Sequence, residues 1–131
     1  MLAGNSITFT GSGGSGNPGN YVFSKVSGSG TLAAATYTSV SEETAVIRLT
    51  DSLTLDTADA TLIVYSPLTI FPTMAAVQTN DAYPFTASGG IPGPGYVYEV
   101  VETLGGSVDS SGLYTAPGSA GTYHVKVTDS I

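Results

Sequence analysis

The chain contains the same residue pattern twice. Residues 7–14 match residues 83–90, and four further blocks follow in the same order. The offset between matched residues is 76 at Phe9 and Phe85 and 78 at Asp51 and Asp129. A repeat of this length corresponds to one whole small domain, because a solenoid repeat is shorter. The pattern therefore predicts two tandem domains, residues 1–65 and residues 66–131.

Each matched block has the alternation of a β-strand. In residues 123–128, apolar side chains at odd positions alternate with polar side chains at even positions. Ile47 and Leu49 alternate with Arg48 and Thr50 in the same way. A period of two places the apolar set on the core and the polar set in water. We therefore predict paired strands with one buried face.

Turn residues separate the strands. The 17 glycines and 7 prolines cluster between apolar runs, notably in residues 11–20, 91–95 and 109–112. Residues 73–79 are the one candidate for a short turn of helix. Short strands at regular spacing with glycine-rich turns are typical of sandwiches and barrels. The sequence predicts an all-β chain of two tandem β-sandwich domains.

The second copy of the pattern resembles bacterial immunoglobulin-like repeats. The resemblance lies in residues 85–90, 96–98, 109–117, 120–123 and 125–130. Such repeats stand in tandem along large surface proteins and adhesins. The resemblance implies an immunoglobulin-like fold for both domains and a location outside the cell or on its surface. It implies no ligand and no catalytic site, because its motif consists of core and turn residues.

The two copies differ at their ends. The segment 65–72 before the second copy has no counterpart before the first, and the strand 58–64 has no counterpart after the second. The first domain is therefore expected to lack its opening strand and the second its closing strand. The preferred explanation is a piece of a longer array, or repeats that have diverged. The alternative is that another copy supplies the missing strand.

The alternative explanation predicts a specific edge. A strand without a neighbour presents backbone donors and acceptors to any added strand, and head-to-tail addition that does not close forms a filament. The predicted edge consists of Thr122, Tyr123, His124, Val125, Lys126, Val127 and Thr128.

Charge and composition argue against several partners. The net charge is −7 with three basic residues, and Lys25, Arg48 and Lys126 are widely spaced. Nucleic acids and anionic lipid surfaces need a basic face, so we expect neither as a partner. No apolar run approaches the length of a membrane span, so we expect no membrane insertion. The absence of cysteine removes disulfides and thiolate metal sites.

Candidate chemical motifs are weak. The glycines of residues 11–16 fit G-x-G-x-x-G, but a strand rather than a helix is predicted after them, which favours a flexible loop. His124 is the single histidine and lies on a predicted solvent face. Asp51, Asp56 and Asp59 lie near the domain junction at spacings unlike a calcium loop. We therefore predict no catalytic residue, cofactor or metal ligand, and no enzyme activity.

Two functions remain. The first is a structural or adhesive module of an extracellular microbial surface protein or filament, which associates with itself or with neighbouring repeats. The second is a carbohydrate- or protein-binding module that contacts a host or surface glycan or protein through its inter-strand loops. Eight tyrosines could support sugar stacking, although most occupy repeated strand positions where core packing explains them.

Overall fold

The computed structural model describes residues 1–92 and 95–129 and divides into two compact units, Met1–Ser66 and Pro67–Ile131. Within these described residues the regular structure is all-β, apart from one turn of 3-10 helix at Pro18–Asn20. Gly93 and Pro94 of the predicted turn at residues 91–95, and Ser130 of the last repeat block, lie outside the described residues.

Unit 1, as we call Met1–Ser66, consists of two three-stranded antiparallel sheets. Its strands are β1 (Ser6–Thr8), β2 (Tyr21–Ser27), β3 (Thr31–Ala33), β4 (Thr36–Thr38), β5 (Glu43–Asp51) and β6 (Thr57–Val64). The order in the first sheet is β1-β4-β3, and the order in the second is β2-β5-β6. Both sheets place apolar side chains toward a shared interior, as in a sandwich.

The core of unit 1 draws on both sheets. Tyr37 from β4 is fully buried, and Ala45 and Ile47 from β5 are 0% and 1% exposed. The partly buried side chains packed against them are Phe9, Phe23, Leu32 and Leu62. Each buried position follows the alternation of its strand, because successive side chains of a strand point to opposite faces.

Strand β6 covers one side of this core. It pairs with β5 over eight residue pairs, from Glu43 opposite Val64 to Thr50 opposite Thr57. Its side chains alternate: Val64 is 1% exposed, whereas Ile63 is 53% exposed. β6 therefore has one apolar face in the core and one face in solvent.

Unit 2, as we call Pro67–Ile131, is also built of antiparallel sheets. Its strands are β7 (Thr69–Phe71), β8 (Ala82–Pro84), β9 (Thr86–Ser88), β10 (Tyr96–Val100), β11 (Ser107–Val108), β12 (Leu113–Thr115) and β13 (Val125–Asp129). They form one three-stranded sheet in the order β11-β12-β8 and two pairs, β10-β13 and β7-β9. The sheet β11-β12-β8 corresponds in pairing to β3-β4-β1 of unit 1.

Equivalent hydrogen bonds show that the sequence repeat is also a structural repeat. The Phe9 amide donates to the Ala35 carbonyl at 2.8 Å, and the Phe85 amide donates to the Gly112 carbonyl at 2.9 Å. Farther along, the Ser39 amide donates to the Asn5 backbone carbonyl, and the Ala116 amide donates to the Asp81 backbone carbonyl. Phe9 and Phe85 thus occupy the same place in their units.

The tyrosines that open β2 and β10 repeat in the same way. The Tyr21 hydroxyl donates to the Gly13 carbonyl at 2.6 Å, and the Tyr96 hydroxyl donates to the Gly89 carbonyl at 2.9 Å. In β10 the side chains of Tyr96, Tyr98 and Val100 are half-buried while Glu99 is exposed. This strand therefore turns Tyr96, Tyr98 and Val100 toward the interior of unit 2 and Glu99 toward solvent.

The predicted turn of helix at residues 73–79 is wrong. These residues form no helix, and a tight turn begins at Gln78, whose carbonyl accepts from the Asp81 amide at 3.1 Å. Seven residues make few intrahelical hydrogen bonds, and so short a helix forms only where tertiary packing supports it. The segment instead runs beside the sheets of unit 2 without regular structure.

Candidate functional site: an open sheet edge

Two of the three acidic residues considered for calcium, Asp51 and Asp59, are held by donors of the chain itself, while Asp56 is exposed. Asp51, 3% exposed, accepts the Ser15 hydroxyl at 2.6 Å, the Ser15 amide at 2.7 Å and the Leu53 amide at 2.9 Å. These hydrogen bonds, led by the Ser15 hydroxyl, lower the pKa of Asp51 to about 2. Asp59 forms a bidentate pair with Arg48. Asp51 and Asp59 therefore have structural roles.

The described residues, 1–92 and 95–129, contain no group of three or more His, Cys, Asp or Glu side chains placed to hold a metal ion. His124 lies on the surface with its side chain 68% exposed. Its amide donates to Glu102 Oε2 at 2.8 Å, and its ring Nδ1 contacts Glu102 Oε1. These contacts lower the pKa of the Glu102 carboxyl. The pair fixes the backbone just before β13.

The glycine-rich loop of residues 11–16 has a structural role in unit 1. Gly14 has a φ of +55°, and a Cβ at this position would lie 2.5 Å from Asp51 Oδ2. Gly90, with a φ of +78°, has the same relation to Asp129 in unit 2. Glycine is required at both because the carboxylate approaches the backbone closely. The loop leads into the 3-10 turn and then β2, so it lacks the helix that a phosphate site needs.

One edge of β13 is paired and the other is open. β13 pairs with β10 over five residue pairs, from Val100 opposite Val125 to Tyr96 opposite Asp129. No strand among residues 1–92 and 95–129 pairs with its other edge. The corresponding strand of unit 1, β5, has neighbours on both sides. The open edge is therefore a difference between two otherwise equivalent sheets.

The backbone groups at this edge can be assigned from the hydrogen bonds. The His124 carbonyl accepts from the Val101 amide at 2.9 Å, so residue 124 faces β10. Backbone groups of successive residues in an antiparallel strand point to opposite edges. Lys126 therefore also faces β10, while the amides and carbonyls of Val125 and Val127 face the open edge.

The same alternation of edges holds for β5 of unit 1, which has a neighbouring strand on each side. The Asp51 amide donates to the Asp56 carbonyl at 3.0 Å on the β6 side. The Ser52 amide donates to the Asn20 carbonyl at 2.8 Å on the β2 side. Odd residues of β5 therefore face β6, just as the odd residues of β13, offset by 78, face the open edge.

A groove of about 860 Å³ adjoins the open edge within unit 2. Its lining comes mainly from residues 70–79 and from residues 116–125, which end at Val125, the first residue of β13. Phe85, Tyr114 and Ala116 contribute to its lining. The lining includes core residues of unit 2, so the open edge borders partly covered apolar side chains.

The structure places the seven residues of the predicted edge in two groups. Val125, Lys126, Val127 and Thr128 belong to β13, whereas Thr122, Tyr123 and His124 precede it. The strand begins later than expected because the His124 amide is taken by a side chain, Glu102, rather than by a ladder partner.

Two parts of the edge region were absent from the prediction. Asp129 belongs to β13, and its Oδ2 accepts the Ile91 amide at 2.6 Å. Its equivalence to Asp51 in the repeat is the sequence signal that could have placed it there. Residues 77–79 line the groove, and the sequence gives no signal for this position, because Val-Gln-Thr has no residue in common with Met-Leu-Ala at residues 1–3.

No protein-family model matches the chain, and a search of curated proteins finds no significant match. No helix in residues 1–92 and 95–129 has the length and hydropathy needed to span a membrane.

Proposed function

We propose that the chain is a structural or adhesive module of an extracellular microbial surface protein or filament, built from two immunoglobulin-like repeats, and that unit 2 joins to neighbouring copies or repeats by strand pairing. The observation that carries this proposal is the open edge of β13. Its counterpart β5 is covered by β6 in the same molecule. A five-residue edge with outward-facing amides is a ready template for an added strand.

Two observations favour β13 over other edges of unit 2. The remaining edge strands, apart from β10, are two or three residues long. The outer edge of β10 corresponds to that of β2, which is also an edge, whereas β5, the counterpart of β13, has a neighbour on each side. Among the described residues of unit 2, β13 therefore has a long edge whose counterpart in unit 1 is covered.

The tyrosines give little support to the carbohydrate-binding alternative. All eight are buried or half-buried. The hydroxyl of Tyr98 accepts the Ala87 amide at 2.9 Å, and the hydroxyl of Tyr114 donates to the Gly105 carbonyl at 2.7 Å. A sugar platform needs an exposed aromatic face. We therefore favour the structural role, and a glycan array with a specific hit would reverse that preference.

The test is the mass of the full chain as a function of concentration, measured by sedimentation and examined by electron microscopy. We expect the mean mass to rise with concentration. Val127→Pro should abolish the rise, because proline removes an amide that faces the open edge. Val127→Ala, which retains the amide, is the matched control and should still assemble. A constant mass for the unmodified chain at high concentration would overturn the proposal.

A further inference from the structure

Residues 72–77 form the longest run without a hydrogen bond in the part of the chain that the structure describes. β7 holds the chain up to Phe71, whose carbonyl accepts the Thr86 hydroxyl at 3.3 Å. Hydrogen bonding resumes at Gln78, whose carbonyl accepts from the Asp81 amide at 3.1 Å. Between these two points the backbone is held only by side-chain packing and by its covalent ends.

This run, which we call the 72–77 segment, is also exposed. Met74 is 86% exposed, the largest fraction of any large hydrophobic side chain among the described residues. Thr73 and Ala76 are exposed as well, whereas Ala75 is half-buried. A segment with few hydrogen bonds and exposed side chains opens locally at a low cost in free energy. Exposed segments with small and polar residues are preferred sites of proteolytic nicking.

We propose that the 72–77 segment is a processing site for a protease whose S1 pocket accepts a small apolar side chain, and that this protease cuts after Ala75 or Ala76. The reaction is hydrolysis of one peptide C–N bond. Water supplies a hydroxyl to the alanine carbonyl carbon and a proton to the nitrogen of the next residue, which leaves a new carboxylate and a new amine. The segment contains no basic residue, so it suits the small S1 pocket of an elastase-type protease and not the anionic pocket of a trypsin-type protease.

The basic residues of the chain lie where a trypsin-type protease has no access. The three are Lys25, Arg48 and Lys126. All three lie within paired strands, namely β2, β5 and β13. Each side-chain cation donates to an acceptor in its own unit. Cleavage at any of them requires a strand to leave its sheet, which costs more free energy than opening a segment without hydrogen bonds.

Other exposed turns that contain alanine are closed by hydrogen bonds. The turn between β3 and β4 includes Ala35, whose carbonyl accepts the Phe9 amide at 2.8 Å. Ala120 lies in a loop that is closed by the Tyr123 hydroxyl, which donates to the Ser119 carbonyl at 3.0 Å. A cut in either place requires a hydrogen-bonded turn to open first, whereas the proposed site has no hydrogen bond to break.

A cut after Ala76 severs the chain between β7 and β8 of unit 2. Unit 1 and β7 then belong to one fragment, and residues 77–131 form the other. Within unit 2 the two fragments share the β7-β9 ladder, which has three residue pairs. A two-stranded ladder of this length has little stability of its own. Processing would therefore loosen β7 from unit 2 and end the covalent link between the two units.

The test compares pancreatic elastase with trypsin on the folded full chain. Elastase should first produce fragments 1–76 and 77–131, or 1–75 and 76–131, identified by mass spectrometry of the intact products. We expect cleavage here to be about tenfold or more faster than at any other bond, because proteolysis of a folded chain follows the population of the locally open form. Trypsin should leave the folded chain intact over the same time and should cut it after denaturation in urea.

Two lysine variants separate access from residue type. Ala76→Lys places a basic residue in the proposed site, so trypsin should cut this folded variant after residue 76. Ala33→Lys is the matched control, because Ala33 is also exposed but lies in β3, where it pairs with Thr36. Trypsin should leave the control variant intact. Circular dichroism before digestion establishes that both variants have the strand content of the unmodified chain.

The proposal fails if the first elastase cut lies anywhere other than after Ala75 or Ala76. It also fails if the folded Ala76→Lys variant resists trypsin. Equal trypsin cleavage of the Ala33→Lys variant would overturn it too, since access would then not depend on missing hydrogen bonds. Elastase cleavage at the proposed bonds, with trypsin active only on the Ala76→Lys variant, supports it. None of these results depends on strand pairing between copies, which the mass at increasing concentration tests separately.

Discussion

The two units share a strand pattern but differ in how completely their cores are covered. In unit 1, Tyr37 is fully buried and Ile47 is 1% exposed beneath β6. In unit 2, the equivalent Tyr114 is 6% exposed, and Val125, the equivalent of Ile47, is only half-buried. The comparison teaches that the repeat fixes which residues face inward, while the neighbouring strand decides how far each is removed from water.

Unit 2 in turn has a strand pair, β7-β9, that unit 1 lacks among the described residues. In unit 2, β9 pairs with β7 over three residue pairs, from Thr69 opposite Ser88 to Phe71 opposite Thr86. The matching residues of unit 1, 10–12, belong to no strand among the described residues. Among the described residues, unit 1 therefore has one strand without a counterpart in unit 2, which is β6, and unit 2 has two without a counterpart in unit 1, which are β7 and β9.

The largest contrast is expected between equivalent core substitutions. Ile47→Ala should destabilise unit 1 by roughly 2–5 kcal/mol, because it leaves a cavity in a closed core. Val125→Ala removes fewer atoms from a half-buried site, so its effect on unit 2 should be smaller. Hydrogen exchange with mass spectrometry, read separately on peptides from each unit, measures both in the full chain. Equal losses of unfolding free energy would mean that Val125 is removed from water as completely as Ile47.

The next contrast concerns the equivalent tyrosine hydroxyls. The Tyr37 hydroxyl donates to Glu43 Oε1 at 2.7 Å and accepts the Gly30 amide at 2.9 Å. Burial, and then its hydrogen bond to Glu43, raises the pKa of Tyr37.

Tyr37→Phe should cost about 1–3 kcal/mol, because it leaves the buried Gly30 amide without its partner. Tyr114→Phe frees one carbonyl, that of Gly105, and should cost less. Urea unfolding followed by exchange in each unit compares the two. A larger loss for the Tyr114 variant would contradict the ordering.

A third contrast appears at low pH. The folded pKa of Asp51, about 2, lies below its ordinary value of 3.8. A lowered pKa means that the stabilising contribution is complete above pH 4 and is lost as the pH falls toward 2. Unit 1 should therefore lose stability across this window.

Asp51→Asn should lower the stability of unit 1 at neutral pH and flatten its dependence between pH 4 and 2. Thermal melts across this range, with exchange in unit 1 as the local readout, provide the measurement. Asp56→Asn, at an exposed neighbouring carboxylate, is the matched control. If the variant keeps the pH dependence of the unmodified chain, Asp51 is not the source of the stability loss between pH 4 and 2.

The smallest effect is expected at the exposed ion pairs. Arg48 pairs with Asp59 at 2.7 Å across β5 and β6, while its counterpart Lys126 pairs with Glu99 at 2.7 Å across β13 and β10. Such pairs are screened by solvent and salt and contribute little to stability. Asp59→Asn and Glu99→Gln should each shift the melting temperature only slightly, and 1 M salt should remove the shift. A large shift that persists in salt would show that the pair is structurally important.

Several features of the fold could be predicted because they depend on local alternation. The inward faces of β5 and β13 follow from period two, and the turn at residues 109–112 follows from its glycine, which has a φ of +86°. The candidate edge could be located only approximately. Its first residues depend on the contact between His124 and Glu102, which are distant in sequence.

The sequence by itself determined the all-β class, the repeat and the side of each strand that faces inward, because alternation and turn residues act within a few positions of the chain. Tertiary structure alone decided which strand edges are covered, where the groove lies and which backbone amides face it. These properties arise from pairing between segments far apart in the chain, and the backbone groups that make the pairs are the same for nearly every residue type.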